Sequence, residues 1–331
     1  MEQVEIDSNF GGILQMIGFI FKRALWLVAL LFVLTYACFA MVHFSKGSVA
    51  YAANSQGVSV ALKAQIESNL NLDKGLNEQY LLWLGRAIKG DFSHSLITGE
   101  SVNEIINERL GATLTLGGIS LMGLFILSVF LAVISVIYKD KFIDKAINYI
   151  SMGFFAMPVF ALCLVLMLFF SVYLGILPSF GNASIGFESD LTNKLKHIIL
   201  PASALILAHL GVYVRIFRTI LLDSLNQPFI ESAFARGLST KKIYFHLVLK
   251  HAFPPILTYF SAHSVAFLVN SYIVESVFSY GGVGNLVVES IIFKDYPIIL
   301  AVIILSVVAV VVLNAFAEIC ANIIDSRKIY A

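Results

Sequence analysis

The chain has 331 residues, of which 59% are hydrophobic and 13% charged, and its formal net charge is +1. Soluble domains carry about 25% charged residues. The low charge content therefore excludes a disordered chain and a soluble α/β enzyme, and the near-neutral balance argues against a nucleic-acid-binding protein. The composition indicates an integral membrane protein.

Six apolar runs are long enough to cross a bilayer, since about 20 helical residues cover a hydrocarbon core of about 30 Å. In chain order they are Ala24–Phe44, Ala112–Tyr138, Ile147–Tyr173, Ile198–Leu222, Ile256–Phe278 and Ile298–Ile324. The alternating ten-residue segments of a membrane barrel are absent from the sequence. The sequence therefore predicts an all-α polytopic membrane protein with six transmembrane helices.

The distribution of lysine and arginine predicts the orientation of the chain. Thirteen of the 22 Lys and Arg residues fall in segments that are internal when the amino terminus is internal. Positive charges concentrate on the cytoplasmic side, so both termini are expected there. This divides the chain into a cytoplasmic tail with the first helix (1–44), an external segment (45–109) and a five-helix core (110–331).

The two longest connections between the predicted spans, 45–109 and 223–255, are expected on opposite sides of the membrane. The external segment contains an amphipathic pattern around Asn77–Lys89. The cytoplasmic connection, 223–255, reads as two short helices. Pro228 suits a first helical position, and Gly237 suits the left-handed residue that ends a helix. A second helix is expected over Lys241–Phe253, with Pro254-Pro255 as its stop.

The first of these short helices has an apolar stripe at i, i+4 spacing. A helix this short is unstable alone in water, so the stripe must pack against something. One possibility is packing onto the helix ends of the same chain, and the other is insertion into a groove on a cytoplasmic partner. The stripe consists of Phe229, Ile230, Ala233 and Phe234.

Several motifs resemble those of one transporter family. Glu231-Ser-Ala, three further residues and Gly237 resemble the coupling motif of ABC-importer permeases, with Ser232 replacing the usual alanine. The chain is most similar to the dipeptide/oligopeptide/nickel branch. The segments that carry this further resemblance are Trp83–Leu96, Glu108–Leu114, Lys196–Pro201, Glu275–Asn285 and Lys294–Pro297. One departure is Ser45–Ser48, where the family usually has a Gly-Asp-Pro-like turn.

The resemblance implies a half-channel in a bacterial inner membrane. Two related permeases would pair around one path, two cytoplasmic ATP-binding subunits would dock beneath them, and an external binding protein would deliver a peptide or a nickel chelate. The coupling contact would then involve Phe229, Ile230, Glu231, Ala233, Phe234, Arg236 and Gly237. Besides these proteins, membrane lipid is an expected partner and nucleic acid is not.

The chain itself is not expected to be an enzyme. No Gly is followed directly by Lys, so the phosphate-binding pattern of an ATPase does not occur. No catalytic residues, cofactor or metal site are expected in this chain. The alternative function is an ion- or proton-coupled secondary transporter, although the acids within the spans, Glu275 and Glu318, lie near helix ends.

The fifth predicted span is unusually polar. At 100° per residue its polar side chains fall within an arc of roughly 80°. They either line a translocation path or let neighbouring helices pack closely. These side chains are Ser261, Ser264, Ser271 and Glu275.

Four other polar residues within the spans leave alternatives open. His209 and His263 are expected to be hydrogen-bonded core histidines rather than ligands of a metal–chelate substrate. Arg215 and Arg218, near the cytoplasmic end of the fourth span, either reach the interface or form a salt bridge to the coupling loop.

Overall fold

The computed structural model describes residues 28–29, 31–41 and 74–324, with side chains described as far as residue 313 except at Val265. Over these ranges the chain is helical and contains no strand, apart from one isolated bridge between His94 and Ser101. The helices are α1 (Leu31–Met41), α2 (Leu76–Ala87), α3 (Val102–Ile137), α4 (Phe142–Phe155), α5 (Val159–Tyr173), α6 (Leu191–Leu225), α7 (Pro228–Ala235), α8 (Thr240–His263), α9 (Val265–Val277), α10 (Val283–Phe293) and α11 (Tyr296–Ile324). This confirms the all-α membrane class.

Within the part of the chain that the structure describes, three helices are individually long and apolar enough to cross a membrane: α3, α6 and Tyr296–Leu313 of α11. Two bent pairs, α4 with α5 and α8 with α9, each pass the same test when taken together. The first predicted run lies partly outside the described residues. The count of six therefore stays a prediction, and so do the domain boundaries.

The third predicted span, Ile147–Tyr173, is not one straight helix. Its residues belong to α4 and α5, whose axes differ by 104°. The break falls at Ala156–Pro158 because a residue before proline is disfavoured in helical geometry and proline lacks an N–H. The second half of α5, Met167–Tyr173, is π-helical.

The structure also differs from the sequence prediction at the fifth span, Ile256–Phe278, and at the second short helix before it. Pro254-Pro255 does not stop a helix, because α8 continues through both prolines to His263. The π-helical turn Ile243–Val248 lies just before them, and local adjustments of this kind let membrane helices accommodate proline. The break comes instead at Ser264, where α8 and α9 meet at 56°. The Ser264 hydroxyl donates to the carbonyl oxygen of Phe260 at 2.7 Å, a bond that tends to bend helices.

The described residues form two compact units. Unit 1 comprises residues up to Glu104 together with Ser290–Val311, and unit 2 comprises Ile105–Glu289 with the remainder of α11. In unit 2, α6 is the central helix and packs against α4, α5, α8 and α9. Its close approach to α4 depends on Gly211, since a Cβ there would lie 2.6 Å from the Ser151 carbonyl oxygen.

In unit 1, α2 packs against α1 and the first turns of α11. The side chains of this cluster are Tyr36, Cys38, Phe39, Tyr80, Trp83, Leu84, Ala87, Phe92, Leu300 and Ile304. A second contact joins the segment before α3 to the start of α11. The Asp295 carboxylate accepts from the Ser95 hydroxyl and, at 3.1 Å, from the backbone N–H of Leu96.

Candidate functional site

The coupling segment, which consists of α7 and the turn at Gly237, begins where the conformational preference of proline predicts. Gln227 is extended, with φ −76° and ψ 142°, and Pro228 occupies the first turn of α7. Proline fits there because the first N–H groups of a helix have no partner within the helix. Glu231 lies in the first turn, where the positive end of the helix dipole favours a carboxylate.

The end of α7 is a Schellman motif around Gly237. Its φ is +78°, a left-handed value that glycine adopts at little cost. The N–H of Gly237 donates to the Phe234 carbonyl at 2.9 Å, and that of Leu238 donates to the Ala233 carbonyl at 3.2 Å. These two bonds satisfy the last carbonyls of the helix and turn the chain sharply toward α8.

The apolar stripe of α7 divides between the two expected roles. Ile230 and Ala233, in the middle of the stripe, are fully buried against the core of unit 2. Phe229 and Phe234, at its edges, remain 42% and 46% exposed. The stripe therefore anchors α7 to its own chain through its centre and leaves two aromatic rings for another contact.

The polar residues of the coupling motif lie outside this anchored centre. Glu231 is exposed and forms no ion pair among the described residues. Arg236 is also exposed, and its Nε donates to the backbone carbonyl of Ser232 at 3.3 Å. Both charged groups are thus open to a partner.

The support for α7 comes from α6 and α8. The π-helical turn of α8 contributes Ile243 and Val248, both fully buried, to the core beneath α7. His251 of α8 lies 3.1 Å from the hydroxyl of Ser224 at the end of α6, and its ring lies 5.2 Å from that of Phe229. Two helices therefore hold the coupling segment on either side.

The predicted path residues of the fifth span do not form one uninterrupted face. Ser264 lies at the break between α8 and α9, and Ser261 is half-buried one turn before it. Ser264 and Ser271 are buried, and Ser271 donates to the Leu268 carbonyl at 2.7 Å. A path-lining role for these serines stays a prediction.

Glu275 is fully buried and organises the turn between α9 and α10. Its Oε2 accepts from the N–H of Gly284 at 2.7 Å and from the Thr113 hydroxyl at 3.2 Å. Thr113 in turn accepts from the N–H of Val283 at 2.7 Å. A Cβ at Gly282 would lie 2.3 Å from the same carboxylate oxygen, so the glycine is needed for this approach.

Each of the two histidines within the spans interacts with a carbonyl of its own helix. His209 interacts with the Leu205 carbonyl through Nδ1 at 2.9 Å and with the Asn270 amide through Nε2 at 3.0 Å, as expected of a core histidine. His263 is instead exposed and contacts the Tyr259 carbonyl of its own helix at 2.9 Å, so the prediction of a core histidine is wrong there. The described residues contain no group of three potential metal-binding side chains of the His, Cys, Asp and Glu types.

Two long-range polar contacts were not predicted from the sequence. Arg218 forms a bidentate ion pair with Asp144, with Nε–Oδ1 and Nη2–Oδ2 distances of 2.8 and 2.6 Å. It therefore joins α6 to α4 rather than binding the coupling loop. Asp295 similarly joins the motif segments Trp83–Leu96 and Lys294–Pro297. In both cases the sequence shows only an acid at the edge of an apolar run, and this does not identify the partner of the acid.

A cleft of about 300 Å³ opens beside the amino-terminal halves of α3 and α6 in unit 2. We call it the outer cleft because the predicted topology places it on the external side. Its polar lining includes Glu108, Asn182, Lys194 and Tyr280. A carboxylate and an ammonium group in one cleft can bind the opposite ends of a zwitterion. In the connection before α6, the N–H of Gly186 donates to Glu188 at 2.9 Å, and this bond lowers the pKa of that exposed carboxyl.

The family model for the binding-protein-dependent transport system inner membrane component matches residues 124–330. The chain is 32% identical to the oligopeptide transport system permease protein AppB of Bacillus subtilis, over 95% of this chain and 100% of that protein. It is 31% identical to the oligopeptide transport system permease protein OppB of Haemophilus influenzae, over 95% and 100%. The di/tripeptide transport system permease protein DppB of Pseudomonas aeruginosa is 27% identical, over 94% and 98%.

The fold is also similar to that of a solved transporter chain. A chain of the MetNI methionine ABC transporter, in an inward-facing conformation, superposes with a TM-score of 0.51 at 17% identity. The match covers 69% of this chain and 97% of that one. The family and sequence matches support the ABC-importer function and not the secondary-transporter alternative.

Proposed function

Because this chain belongs to the family of binding-protein-dependent transport system inner membrane components, we propose that it is one half of a peptide importer. It is a multi-pass inner-membrane transport permease. The proposal adds a second, related permease beside it, two cytoplasmic ATP-binding subunits and an external protein that delivers substrate. ATP hydrolysis takes place on the partner subunits, and this chain holds no cofactor.

The exposed edge of α7 carries this proposal. Phe229 and Phe234 are large apolar side chains left half-exposed on a short helix whose centre is firmly packed. A groove on each ATP-binding subunit would bury these rings, with Glu231 and Arg236 at the margins of the contact. Because Ile230 and Ala233 fix α7 to α8, a movement of that groove is transmitted to the ends of α6 and α8.

The topology follows from the same assignment. If α7 meets the ATP-binding subunits, the connection between α6 and α8 is cytoplasmic, and six spans then place both termini on that side. The substrate path runs between the two permeases. The polar side chains proposed to line it are Ser261, Ser264, Ser271 and Glu275.

The cargo proposed is a peptide rather than a nickel chelate. The support comes from the names of the similar permeases, which are oligopeptide and di/tripeptide transport proteins. The outer cleft of unit 2, with Glu108 and Lys194 in its lining, offers groups for the two charged ends of a peptide.

The docking proposal is tested by removing one exposed ring of α7. In Phe234→Ala, the fraction of ATP-binding subunits that co-purify with the permease should fall at least about tenfold, because truncating an aromatic hot spot costs about 2 kcal/mol or more. Peptide-dependent ATP hydrolysis in proteoliposomes should fall with it. Phe187→Ala, which removes a similarly exposed ring (56%) from the connection before α6, is the matched control.

Equal co-purification of the Phe234→Ala, Phe187→Ala and unmodified permeases would overturn the docking assignment. Membrane insertion is measured separately, by the yield of folded permease after size-exclusion chromatography. Loss of both insertion and binding in Phe234→Ala would assign the ring to folding rather than to the partner.

A further inference from the structure

Helix α2 has apolar side chains on two opposite faces. Tyr80 and Trp83 are buried inside unit 1, whereas Leu81 is 60% exposed and Ile88, directly after the helix, is 78% exposed. Leu82 is exposed as well. A helix that lies on a protein surface in water normally presents charged and polar groups on its outer face. The outer face of α2 therefore requires an apolar environment.

The contacts of α2 with α1 locate it relative to the membrane. The Tyr80 hydroxyl lies 2.9 Å from that of Thr35, and its ring centroid lies 5.4 Å from that of Phe32. Both partners belong to the predicted span Ala24–Phe44. Thr35 precedes Met41, the last described residue of α1, by six positions, which is about 9 Å along a helix. The contact is therefore well inside the apolar run.

A second helix gives the same depth independently. Leu300 and Ile304 of α11 pack in the same cluster as Tyr80 and Trp83. They follow the start of α11 at Tyr296 by four and eight residues, which is about 6 to 12 Å along the helix. By the predicted topology α1 ends and α11 begins on the external side. Two spans thus place α2 at the level of the outer hydrocarbon layer.

We propose that α2 is embedded in the outer leaflet, with Leu81, Leu82 and Ile88 in contact with lipid acyl chains. These three outer side chains are aliphatic and carry no polar atom, as suits hydrocarbon. Aromatic side chains, Met and Arg, which are enriched in protein interfaces, are absent from this group of side chains. Helix α1, which packs against α2, also exposes apolar side chains, since Val33 and Met41 are 61% and 74% exposed.

The charged groups of α2 lie at its ends, where they can reach lipid headgroups. Glu78 in the first turn pairs with Lys74 at 2.9 Å. At the other end Arg86 donates to the Ser93 hydroxyl at 3.2 Å, and Lys89 follows the helix. Long basic side chains at the end of an embedded helix extend toward the interface, so these charges are compatible with the proposed depth.

Single-cysteine variants of the assembled permease in proteoliposomes test the placement. Cys38, Cys163 and Cys320 are replaced by serine, and Leu81→Cys is compared with Glu100→Cys, an exposed position in the same unit. Leu81→Cys should react with a membrane-impermeant maleimide at least about tenfold more slowly, since a thiol in hydrocarbon forms little thiolate. A bimane label at residue 81 should be quenched by brominated phosphatidylcholine and not by iodide.

The outcomes separate lipid from the two other environments. Labelling of Leu81→Cys as fast as Glu100→Cys would place α2 in water and overturn the proposal. Protection from maleimide without quenching by brominated lipid would show that another protein covers the face, and would overturn it equally. Neither result depends on the cargo or on ATPase docking.

A second measurement avoids engineered cysteines. The chain has two tryptophans, Trp26 and the buried Trp83, so replacing both by Phe and adding Leu81→Trp leaves one tryptophan in this chain, on the outer face of α2. Brominated lipid should then quench the remaining fluorescence more strongly than iodide does. Stronger quenching by iodide would contradict the proposed depth even if the cysteine variants fail to assemble.

Discussion

Glu275 shows how one carboxylate can fix a loop at the end of a span. It accepts from Gly284 and Thr113 while fully buried. Glu275→Ala would leave the half-buried Thr113 hydroxyl and the buried N–H of Gly284 without this acceptor, at about 1–3 kcal/mol for the buried N–H. Glu275→Gln keeps a carbonyl oxygen in the same place. We expect lower thermal stability and lower peptide uptake for the alanine variant, and near-normal values for glutamine.

The glutamine variant also separates the two roles considered for Glu275. If this residue binds cationic groups of the substrate along a path, Glu275→Gln should lose uptake while keeping its thermal unfolding temperature. If it positions the turn, uptake should be retained. Glu104→Ala, at an exposed acid near the start of α3, should change neither measurement.

At the scale of single residues, the features that the sequence predicted are those that depend on local backbone conformation. Pro228 and Gly237 lie at the ends of α7 as expected, because their conformational preferences are local. The partners of Glu275 and Arg218 were not predictable, since a side chain inside an apolar run does not identify which distant donor or acid will face it. For the same reason the sequence predicted the apolar stripe on α7 but did not predict its division into a buried centre and exposed edges.

At the scale of helices, the close packing of α4 on α6 depends on a missing side chain. A Cβ at Gly211 would lie 2.6 Å from a backbone oxygen of α4 and 3.0 Å from the Phe155 Cβ. Gly211→Ala should therefore destabilise the permease by about 1–3 kcal/mol, the usual cost of overpacking. Thermal unfolding in detergent measures it.

Gly118→Ala is the matched control for this prediction. Gly118 also lies inside a long apolar helix, α3, but a Cβ there meets nothing within 4 Å. Alanine in an unobstructed helical position is favoured by about 0.5–1 kcal/mol over glycine. Equal unfolding temperatures for the two variants would contradict the close approach of α4 and α6.

The sequence predicted where apolar helices occur better than where they bend. Pro158 lies inside the third predicted span, so the break between α4 and α5 has a visible cause. Pro254 and Pro255 instead lie within the continuous helix α8, and the bend of the fifth predicted span occurs at Ser264, between α8 and α9. Whether a proline interrupts a membrane helix depends on neighbouring turns and helices, which periodicity does not report.

At the scale of the whole molecule, the choice of cargo is open to a direct test. Cells that lack this chain should lose uptake of a radiolabelled dipeptide and keep that of radiolabelled nickel, because the similar permeases are peptide transport proteins. Returning the gene for the unmodified chain should restore uptake. Loss of nickel uptake alone would identify a metal chelate as the cargo and contradict the peptide assignment.

The carboxylate of Asp295 also imposes an order on biosynthesis. Its partner Ser95 leaves the ribosome 200 residues earlier. At about 5–20 residues per second, translation alone separates the two by about 10–40 s. Throughout that interval the segment before α3 has already been synthesised, but the carboxylate that accepts its hydrogen bonds has not. Unit 1, which contains Ser95, therefore cannot be completed until the chain has been synthesised as far as the beginning of the final helix.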